Sequence, residues 1–244
     1  MFDHVTIRVA DRAASARFFA TVLGTLGIEA SEDTPAFVAW HEFFLSQGDE
    51  QHRPTSRLHI GFAAPSRRHV EDFWRAGVDA GHPSQGAPGP RQQYRDDYYS
   101  AFLRDPDGNS VEAVHHGALP TDGAIIDHLW LRVLDLPAAA AFYRLVGDAA
   151  GFDARDVDGD RTMFRGGAAG GSFSVVAGTP TANVHIAFPG TEETVKRFYD
   201  EAIVAGYRGN GEPGERPHYH PGYYAAFVLD PDGNNIEVVD HHRA

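Results

Sequence analysis

The sequence contains no cysteine in 244 residues. It therefore has no disulfide, no thiolate nucleophile and no cysteine-ligated zinc site. No apolar run approaches the length that crosses a bilayer, and charges within the first dozen residues argue against a signal peptide. With 21 basic and 34 acidic residues the net charge is −13, so a phosphate backbone would be repelled. These features predict a cytoplasmic protein that binds neither nucleic acid nor membrane.

The chain repeats itself over its whole length. The segment FDHVTIRV at 2–9 returns as IDHLWLRV at 126–133, LHI at 58–60 as VHI at 184–186, and DPDGN at 105–109 again at 230–234. Order and spacing are conserved between the copies, and the junction at 117–124 is rich in small and turn-forming residues. We predict a tandem duplication with one domain at 1–118 and a second at 126–244.

Each half contains two units of similar pattern, which makes the fold class α+β. The first strand alternates apolar Val5, Ile7 and Val9 with polar residues. Asp11 is a candidate helix cap after it, and a further strand and a helix over 66–80 follow from Leu58. The second half repeats this order with candidate caps at Asp135 and Thr191. The glycine- and proline-rich segments 82–90 and 209–217 are predicted to be long exposed loops.

The strongest chemical signal is a trio of residues that occurs once in each half. The first trio is His4, His59 and Glu112, and the matching trio of the second half is His128, His185 and Glu237. Each glutamate follows a DPDG turn and has apolar neighbours, where an ionised carboxylate needs a partner or a metal. Two imidazoles and one carboxylate can hold a divalent first-row metal and leave coordination positions open.

The duplicated modules, the HxxxR pattern at residues 4–8 and the DPDGNx(I/V)E pattern resemble the vicinal oxygen chelate superfamily. This superfamily includes glyoxalase I, extradiol dioxygenases, fosfomycin-resistance enzymes and bleomycin-binding proteins. The resemblance implies four βαβββ modules forming two similar glyoxalase/dioxygenase-type domains. It also implies a metal-ligand role for the six residues of the two trios, and a small substrate whose two neighbouring oxygens chelate the metal.

Three departures from the superfamily patterns bear on the reaction. The position of the fourth glyoxalase I ligand corresponds to Phe44 in one half and Ser174 in the other, while Glu42 has the opposite strand parity. The catalytic tyrosine of extradiol dioxygenases corresponds to Phe227. The histidine that precedes it in those enzymes has a counterpart in His220, which we take as the acid–base candidate.

Other residues are candidates for substrate contact or proton transfer. Tyr99 and Tyr224 are predicted to be catalytic phenols, and Tyr98 and Tyr223 to bind substrate, although ordinary sheet packing explains tyrosines equally well. Arg8 and Arg132 share a strand face with the first histidine of each half and could hold an anionic substrate group; a solvent-facing arginine is the plainer alternative. The site residues predicted in addition to the metal ligands are thus His220, Tyr224, Tyr99, Arg8, Arg132, Tyr98 and Tyr223.

The sequence leaves several alternatives open. The function is a metal-dependent lyase or isomerase of glyoxalase type, an Fe(II)-dependent extradiol-type dioxygenase, or a bleomycin-resistance-like binding protein. The metal is Fe, Mn, Ni, Co or Zn, and the protein is a monomer or a homodimer. The centres form either within one half, with His4 beside His59 and Glu112, or across halves, with His4 beside His185 and Glu237.

Overall fold

A computed structural model describes residues 1–121, 123–166 and 170–241. The first half contains two modules, each a strand, a helix and three further strands. The first module comprises β1 (His4–Val9), α1 (Arg12–Gly24), β2 (Glu32–Asp33), β3 (Phe37–Trp40) and β4 (Phe43–Gln47). The second comprises β5 (His59–Ala63), α2 (Arg67–Asp79), β6 (Ser84–Pro90), β7 (Tyr99–Arg104) and β8 (Ser110–His115).

The second half repeats this order. The third module comprises β9 (Ile126–Val133), α3 (Leu136–Ala150), β10 (Asp153–Asp158), β11 (Arg161–Arg165) and β12 (Ser172–Ala177). The fourth comprises β13 (His185–Pro189), α4 (Glu192–Val204), β14 (Arg208–Glu215), β15 (Tyr223–Leu229) and β16 (Asn235–His241). The predicted α+β class and the four βαβββ modules are confirmed.

The predicted helix starts are confirmed by their capping hydrogen bonds. Asp11 accepts from the backbone N–H of Ala14, and Asp135 accepts from that of Ala138. Thr191 forms a capping box with Thr194. A side-chain acceptor three residues before a helical N–H satisfies one of the donors left free in the first turn.

The prediction of loops at 82–90 and 209–217 is wrong, because these segments form the edge strands β6 and β14. Each pairs with one neighbour only, β7 or β15, and its register shifts twice. Proline is tolerated at an edge and glycine at a bulge. Gly86 is also required by packing, since a Cβ there would lie 2.9 Å from the Phe102 ring.

The strands form two eight-stranded sheets, and each sheet combines a module from each half of the sequence. One sheet has the order β14-β15-β16-β13-β1-β4-β3-β2, and the other β10-β11-β12-β9-β5-β8-β7-β6. The first strands of the two modules meet at the centre of each sheet, where β1 pairs with β13 and β5 with β9. The boundaries 1–118 and 126–244 remain a prediction about the sequence repeat; the sheets divide the chain differently.

One hydrophobic core lies against the helices and joins the two sheets. Phe43 of one sheet packs on Phe62 of the other, and Phe19 of α1 contacts both rings. Each helix covers strands of its own module, and α1 packs on α2 as α3 packs on α4. In the described part of the chain no helix is both long and apolar enough to span a membrane.

The DPDGN turns fix the position of the neighbouring strands. The Asn109 side chain accepts from the Leu58 backbone N–H and donates to the carbonyl of Thr55 and to the carboxylate of Asp105. Gly108 has a φ of 83°, which suits glycine. The turn therefore ties the start of β5, and with it His59, to the start of β8.

Replacing Asn109 with Ala should lower the free energy of unfolding by about 2–4 kcal/mol, because the buried N–H of Leu58 and carbonyl of Thr55 lose their partner. Denaturant-induced unfolding measures this. The exposed Gln92→Ala variant is the control, and we expect it to change stability by less than about 0.5 kcal/mol. An equal effect of both substitutions would contradict the role of the turn.

Candidate metal centres

The structure brings the six predicted ligands together as two centres that form across the halves. His59, Glu112 and His128 make one, named here the Glu112 centre; His4, His185 and Glu237 make the other, the Glu237 centre. In each group the candidate ligand atoms lie within 4.8 Å of one another. Of the two groupings left open by the sequence, this is the one in which each centre takes a histidine from the other half.

The strand register accounts for the Glu112 centre. Gly61 lies opposite His128 of antiparallel β9 and beside Glu112 of parallel β8. His59 lies two residues before Gly61, on the same face of the sheet. Three side chains from three adjacent strands therefore converge in front of Gly61.

The ligand atoms of the Glu112 centre are in mutual contact. His59 Nε2 lies 2.9 Å from Glu112 Oε2 and 3.0 Å from His128 Nε2. His128 Nε2 lies 3.2 Å from the same oxygen. The glutamate is buried and both histidines are shielded from most solvent, so solvent cannot separate these groups.

A surrounding set of polar groups orients each ligand. His128 Nδ1 lies 2.8 Å from Asp127 Oδ2, and the other oxygen of Asp127 lies 3.1 Å from His116. His59 Nδ1 lies 2.9 Å from the Ser110 hydroxyl. Such partners fix the tautomer and the orientation of metal-binding histidines.

Tyr98 performs the same task for the carboxylate, because its phenol donates to Glu112 Oε1 at 3.0 Å. Burial and the adjacent Glu112 raise the pKa of Tyr98 above its usual value, so it remains a donor. Oε2, the oxygen left over, faces the two imidazoles.

The electrostatics favour a positive charge among these atoms. When neutral His128 donates its Nδ1 proton to Asp127, its Nε2 lone pair faces the Glu112 oxygen, and two acceptors at that distance repel. Burial opposes a charged imidazole, but the hydrogen bonds to Asp127 and Glu112 outweigh it and raise the pKa of His128 to about 10. Burial likewise disfavours the charged carboxylate, yet the two histidines hold the pKa of Glu112 at about 2. A divalent metal ion held by these atoms would supply the positive charge that a proton on His128 otherwise supplies.

The Glu237 centre has the same plan. His185 Nε2 lies 3.1 Å from His4 Nε2 and 3.0 Å from Glu237 Oε2, and Tyr223 donates to Glu237 Oε1 at 2.6 Å. Asp3 accepts from His4 Nδ1 at 2.8 Å. Burial lowers the pKa of His185, which keeps this imidazole in the neutral form that binds metals.

The centres differ in the residue beneath them. Ala187 lies opposite His4 and beside Glu237, where the other centre has Gly61. A Cβ on Gly61 would lie 2.3 Å from the His128 ring. His128 therefore rests directly on the backbone, 3.2 Å from its glutamate, whereas His4 lies 3.6 Å from Glu237.

They also differ in the space in front of them. A cavity of about 930 Å³ opens over the Glu112 centre, and Ser174 lines it. At the equivalent position of the other sheet, the Phe44 ring lies 5.6 Å from that of His4. Glu42 accepts from the backbone N–H groups of Ile125 and Ile126. Neither predicted fourth-ligand position therefore offers a carboxylate to a centre.

The two predicted catalytic phenols lie on the helix side of the sheets. Tyr99 donates to Glu71 of α2 at 3.1 Å, and the Lys196 ammonium of α4 lies 5.5 Å from the Tyr224 ring centroid. The structure does not bring them to a centre. Neighbouring strand residues point to opposite faces, so Tyr98 and Tyr223 face the ligands instead.

The remaining predicted residues lie around the centres. His220 contacts His241 at 2.8 Å, and His241 contacts Asp3, so three contacts separate His220 from His4. Arg132 lines the cavity over the Glu112 centre. Arg8 lies on β1 four residues after His4 and on the same face of the sheet.

Sequence reasoning missed the aspartates that orient the histidines. Asp3 and Asp127 each precede a ligand histidine, so a repeated Asp-His pair was visible in the two opening strands. His116 and His241, which bind these aspartates, occupy matching positions after β8 and in β16. Their pairing with residues more than one strand away could not be read from spacing.

The protein is built from duplicated βαβββ modules, and each sheet carries a cluster of two histidines and one carboxylate. These features define a class of paired-module proteins whose sites could hold a divalent metal. The model of the Glyoxalase/Bleomycin resistance protein/Dioxygenase superfamily matches residues 1–113 and 125–238. The chain belongs to this superfamily.

Solved structures show the same fold. Glyoxalase I from Zea mays is 20% identical with a TM-score of 0.69, over 98% of this chain and 92% of that one. A candidate dioxygenase from Bacillus subtilis is 14% identical with a TM-score of 0.65, over 100% of this chain and 86% of that one. No curated protein matches the chain significantly. At these identities the similarity to the solved structures shows a shared fold and nothing more.

Replacing Gly61 with Ala should weaken metal binding at the Glu112 centre by roughly 10- to 100-fold, the range seen when groups that orient ligands are changed. The new methyl group would displace the His128 ring. The matched control is Ala187→Gly, which removes a methyl group from the equivalent position and should leave the metal content unchanged. Metal per chain after dialysis, measured by elemental mass spectrometry, tests both; unchanged binding in Gly61→Ala would contradict the steric argument.

Metal binding at the Glu112 centre should release about one proton at pH 8, because the metal must displace the proton of a group whose pKa is about 10. Affinity should therefore fall as pH is lowered below 10. Calorimetric titration with Zn²⁺ in buffers of different ionisation enthalpy, in a Glu237→Ala background, counts the protons. Asp127→Asn removes the charged partner of His128 and should reduce the release; equal release in both proteins would refute the assigned role of Asp127.

Proposed function

We propose that the protein is a metal-dependent enzyme of the vicinal-oxygen-chelate type, a glyoxalase-type lyase or isomerase whose active centre is the Glu112 centre. The observation that carries this proposal is a three-ligand cluster at the wall of an open cavity of about 930 Å³. Three protein ligands leave positions open for two adjacent oxygens of a small substrate.

Each residue of the centre has a defined task in this proposal. His59, Glu112 and His128 would hold the metal, and Asp127 and Tyr98 keep a histidine and the carboxylate in place. A bound divalent metal would supply Lewis-acid stabilisation of charge that develops on the substrate oxygens. Iron, manganese, nickel, cobalt and zinc all suit this donor set.

The Glu112 centre is favoured over the Glu237 centre by the space beside it. Ser174, the smaller residue at this position, lines the cavity, whereas at the matching place of the other sheet the Phe44 ring lies 5.6 Å from that of His4. The cavity that opens over the Glu112 centre, with the Trp130 ring beside His59 in its wall, is what favours this centre as the substrate site.

The second candidate is an Fe(II)-dependent extradiol-type dioxygenase. It is favoured by the absence of a carboxylate at both fourth-ligand positions, because two histidines and one carboxylate with open positions suit non-haem iron. Oxygen uptake by the Fe(II)-loaded protein with catechol would support it; isomerase activity without oxygen consumption would support the first candidate.

The two glutamates can be tested separately. We expect close to two metal ions per chain after reloading, and one fewer in either Glu112→Ala or Glu237→Ala. Glu112→Ala should lose at least about 1,000-fold in turnover, as when an essential group is removed, while Glu237→Ala should retain most of it. Protein purified without chelator or affinity nickel is required for the count.

The opposite pattern, with turnover lost only in Glu237→Ala, would move the active centre to the other sheet. A metal content near zero after reloading would contradict the metalloenzyme proposal. It would leave a small-molecule binding protein of bleomycin-resistance type as the better interpretation.

A further inference from the structure

The cavity over the Glu112 centre has a charge opposite to that of the chain. Six arginines line it against two carboxylates, Glu112 and Asp127, and both carboxylates are engaged by histidines. The arginines are Arg57, Arg95, Arg104, Arg132, Arg161 and Arg165. A concave basic surface on a chain of net charge −13 concentrates anions at that point.

Among the side chains that the structure describes, five of these arginines have no acidic partner. Arg95 binds Asp97 at 2.9 Å. Within the described ranges Arg57 and Arg104 donate to carbonyl oxygens, Arg165 contacts a thioether and Arg161 an aromatic ring. A guanidinium that has no carboxylate partner is free to bind one from a ligand.

Two of the five lie on the two strands that flank β12, on the same face of the sheet. Arg161 of β11 and Arg132 of β9 both pair with Val176 of β12, so all three side chains form one row across the sheet. The next row contains Met163, Ser174 and Trp130. Arg161 lies 5.1 Å from the Trp130 ring centroid, which positions its guanidinium at the cavity wall.

The row lies a short way from the metal ligands. Trp130 is opposite His59 in the register of β5 and β9, and Arg132 follows two residues later. Two strand residues span roughly 7 Å. Trp130 lies two residues after His128, which is opposite Gly61, so the Arg161 guanidinium held against the Trp130 ring is roughly 7 Å along β9 from the row in which the ligands converge. A ligand chelated at the Glu112 centre would therefore meet this guanidinium with a group on the order of 7 Å from its chelating oxygens.

The other sheet has a different residue at the position that corresponds to Arg161. There the corresponding row is Phe37, Ser46 and Arg8, so a phenylalanine stands in the place of Arg161. The Phe37 and Phe44 rings lie 5.3 Å apart. The arginine pair is thus particular to the sheet that carries the cavity.

We propose that Arg132 and Arg161 form an anion-binding subsite, so that the substrate of the Glu112 centre is an acid with a carboxylate or phosphate at the end remote from its two chelating oxygens. Arg161 is then the specificity-determining residue. The chelation part of this inference rests on the proposed function, whereas anion binding by the arginine pair does not.

Two matched probes test the subsite, 2-oxoadipate and 2-oxohexanoate, which differ by a carboxylate in place of a terminal methyl group. We expect the wild-type protein to bind 2-oxoadipate at least about 10-fold more tightly, the value of one good charge-assisted contact. Calorimetry on the Mn²⁺-loaded and the metal-free protein gives the ratio of the two dissociation constants.

Arg161→Ala and Arg132→Ala should each bring this ratio close to one, and Arg161→Lys should restore part of it. The matched control is Arg8→Ala, which removes the equivalent arginine of the other sheet and should leave the ratio unchanged. Circular dichroism checks that each variant is folded.

Equal binding of the two acids by the wild-type protein, or no detectable binding of either, would overturn the proposal. So would a ratio that survives both substitutions or falls equally in Arg8→Ala. A preference that depends on Arg161 in a protein unable to hold metal would support the subsite and refute the proposed function, so the two failures are distinguishable.

Discussion

The antiparallel pairing of the first strands of modules from opposite halves is the constraint on which both centres depend. The pairing of β5 with β9 sets Gly61 opposite His128, and the parallel pairing of β5 with β8 sets it beside Glu112. A slip of one residue in either pairing would turn a ligand toward the helices. The Asn109 turn, which ties the start of β5 to that of β8, therefore contributes to ligand geometry as well as to stability.

The centres also bring together groups that repel one another in the absence of a cation. Glu112 is buried, and its carboxylate is stabilised by the Tyr98 phenol and by two histidines, one of which is fixed by Asp127. Such an arrangement persists because the packed core and the sheet hydrogen bonds hold the strands in place. What the fold supplies is a preorganised set of ligand atoms, for which a metal or a proton must compete.

Duplication made much of this structure predictable, since each signal in the sequence occurs twice. The helix caps, the four modules and the six candidate ligands follow from residues that recur at matched positions. The grouping of ligands does not, because the spacing between the two histidines is nearly the same in both halves, 55 residues from His4 to His59 and 57 from His128 to His185, and this leaves both arrangements possible. Only the strand pairing distinguishes them. Tyr98 and Tyr99 are consecutive and point to opposite faces of the sheet, so a shift of one residue exchanges their positions. Sequence spacing alone does not show which of the two faces the ligands. The edge strands at 84–90 and 208–215 were not predicted, because their glycines are typical of loops. A bulged edge strand accommodates glycine as well.

The differences between the two copies lie along the same rows of the sheets. Gly61 against Ala187 and Ser174 against Phe44 give the Glu112 centre smaller residues, and Arg161 against Phe37 gives it more positive charge, while Trp130 stands where the other sheet has Thr6. Retention of the Glu237 trio does not by itself require turnover there. Loss of one histidine would leave a buried carboxylate with less compensation, which costs several kcal/mol. Folding alone is therefore enough to preserve the second trio.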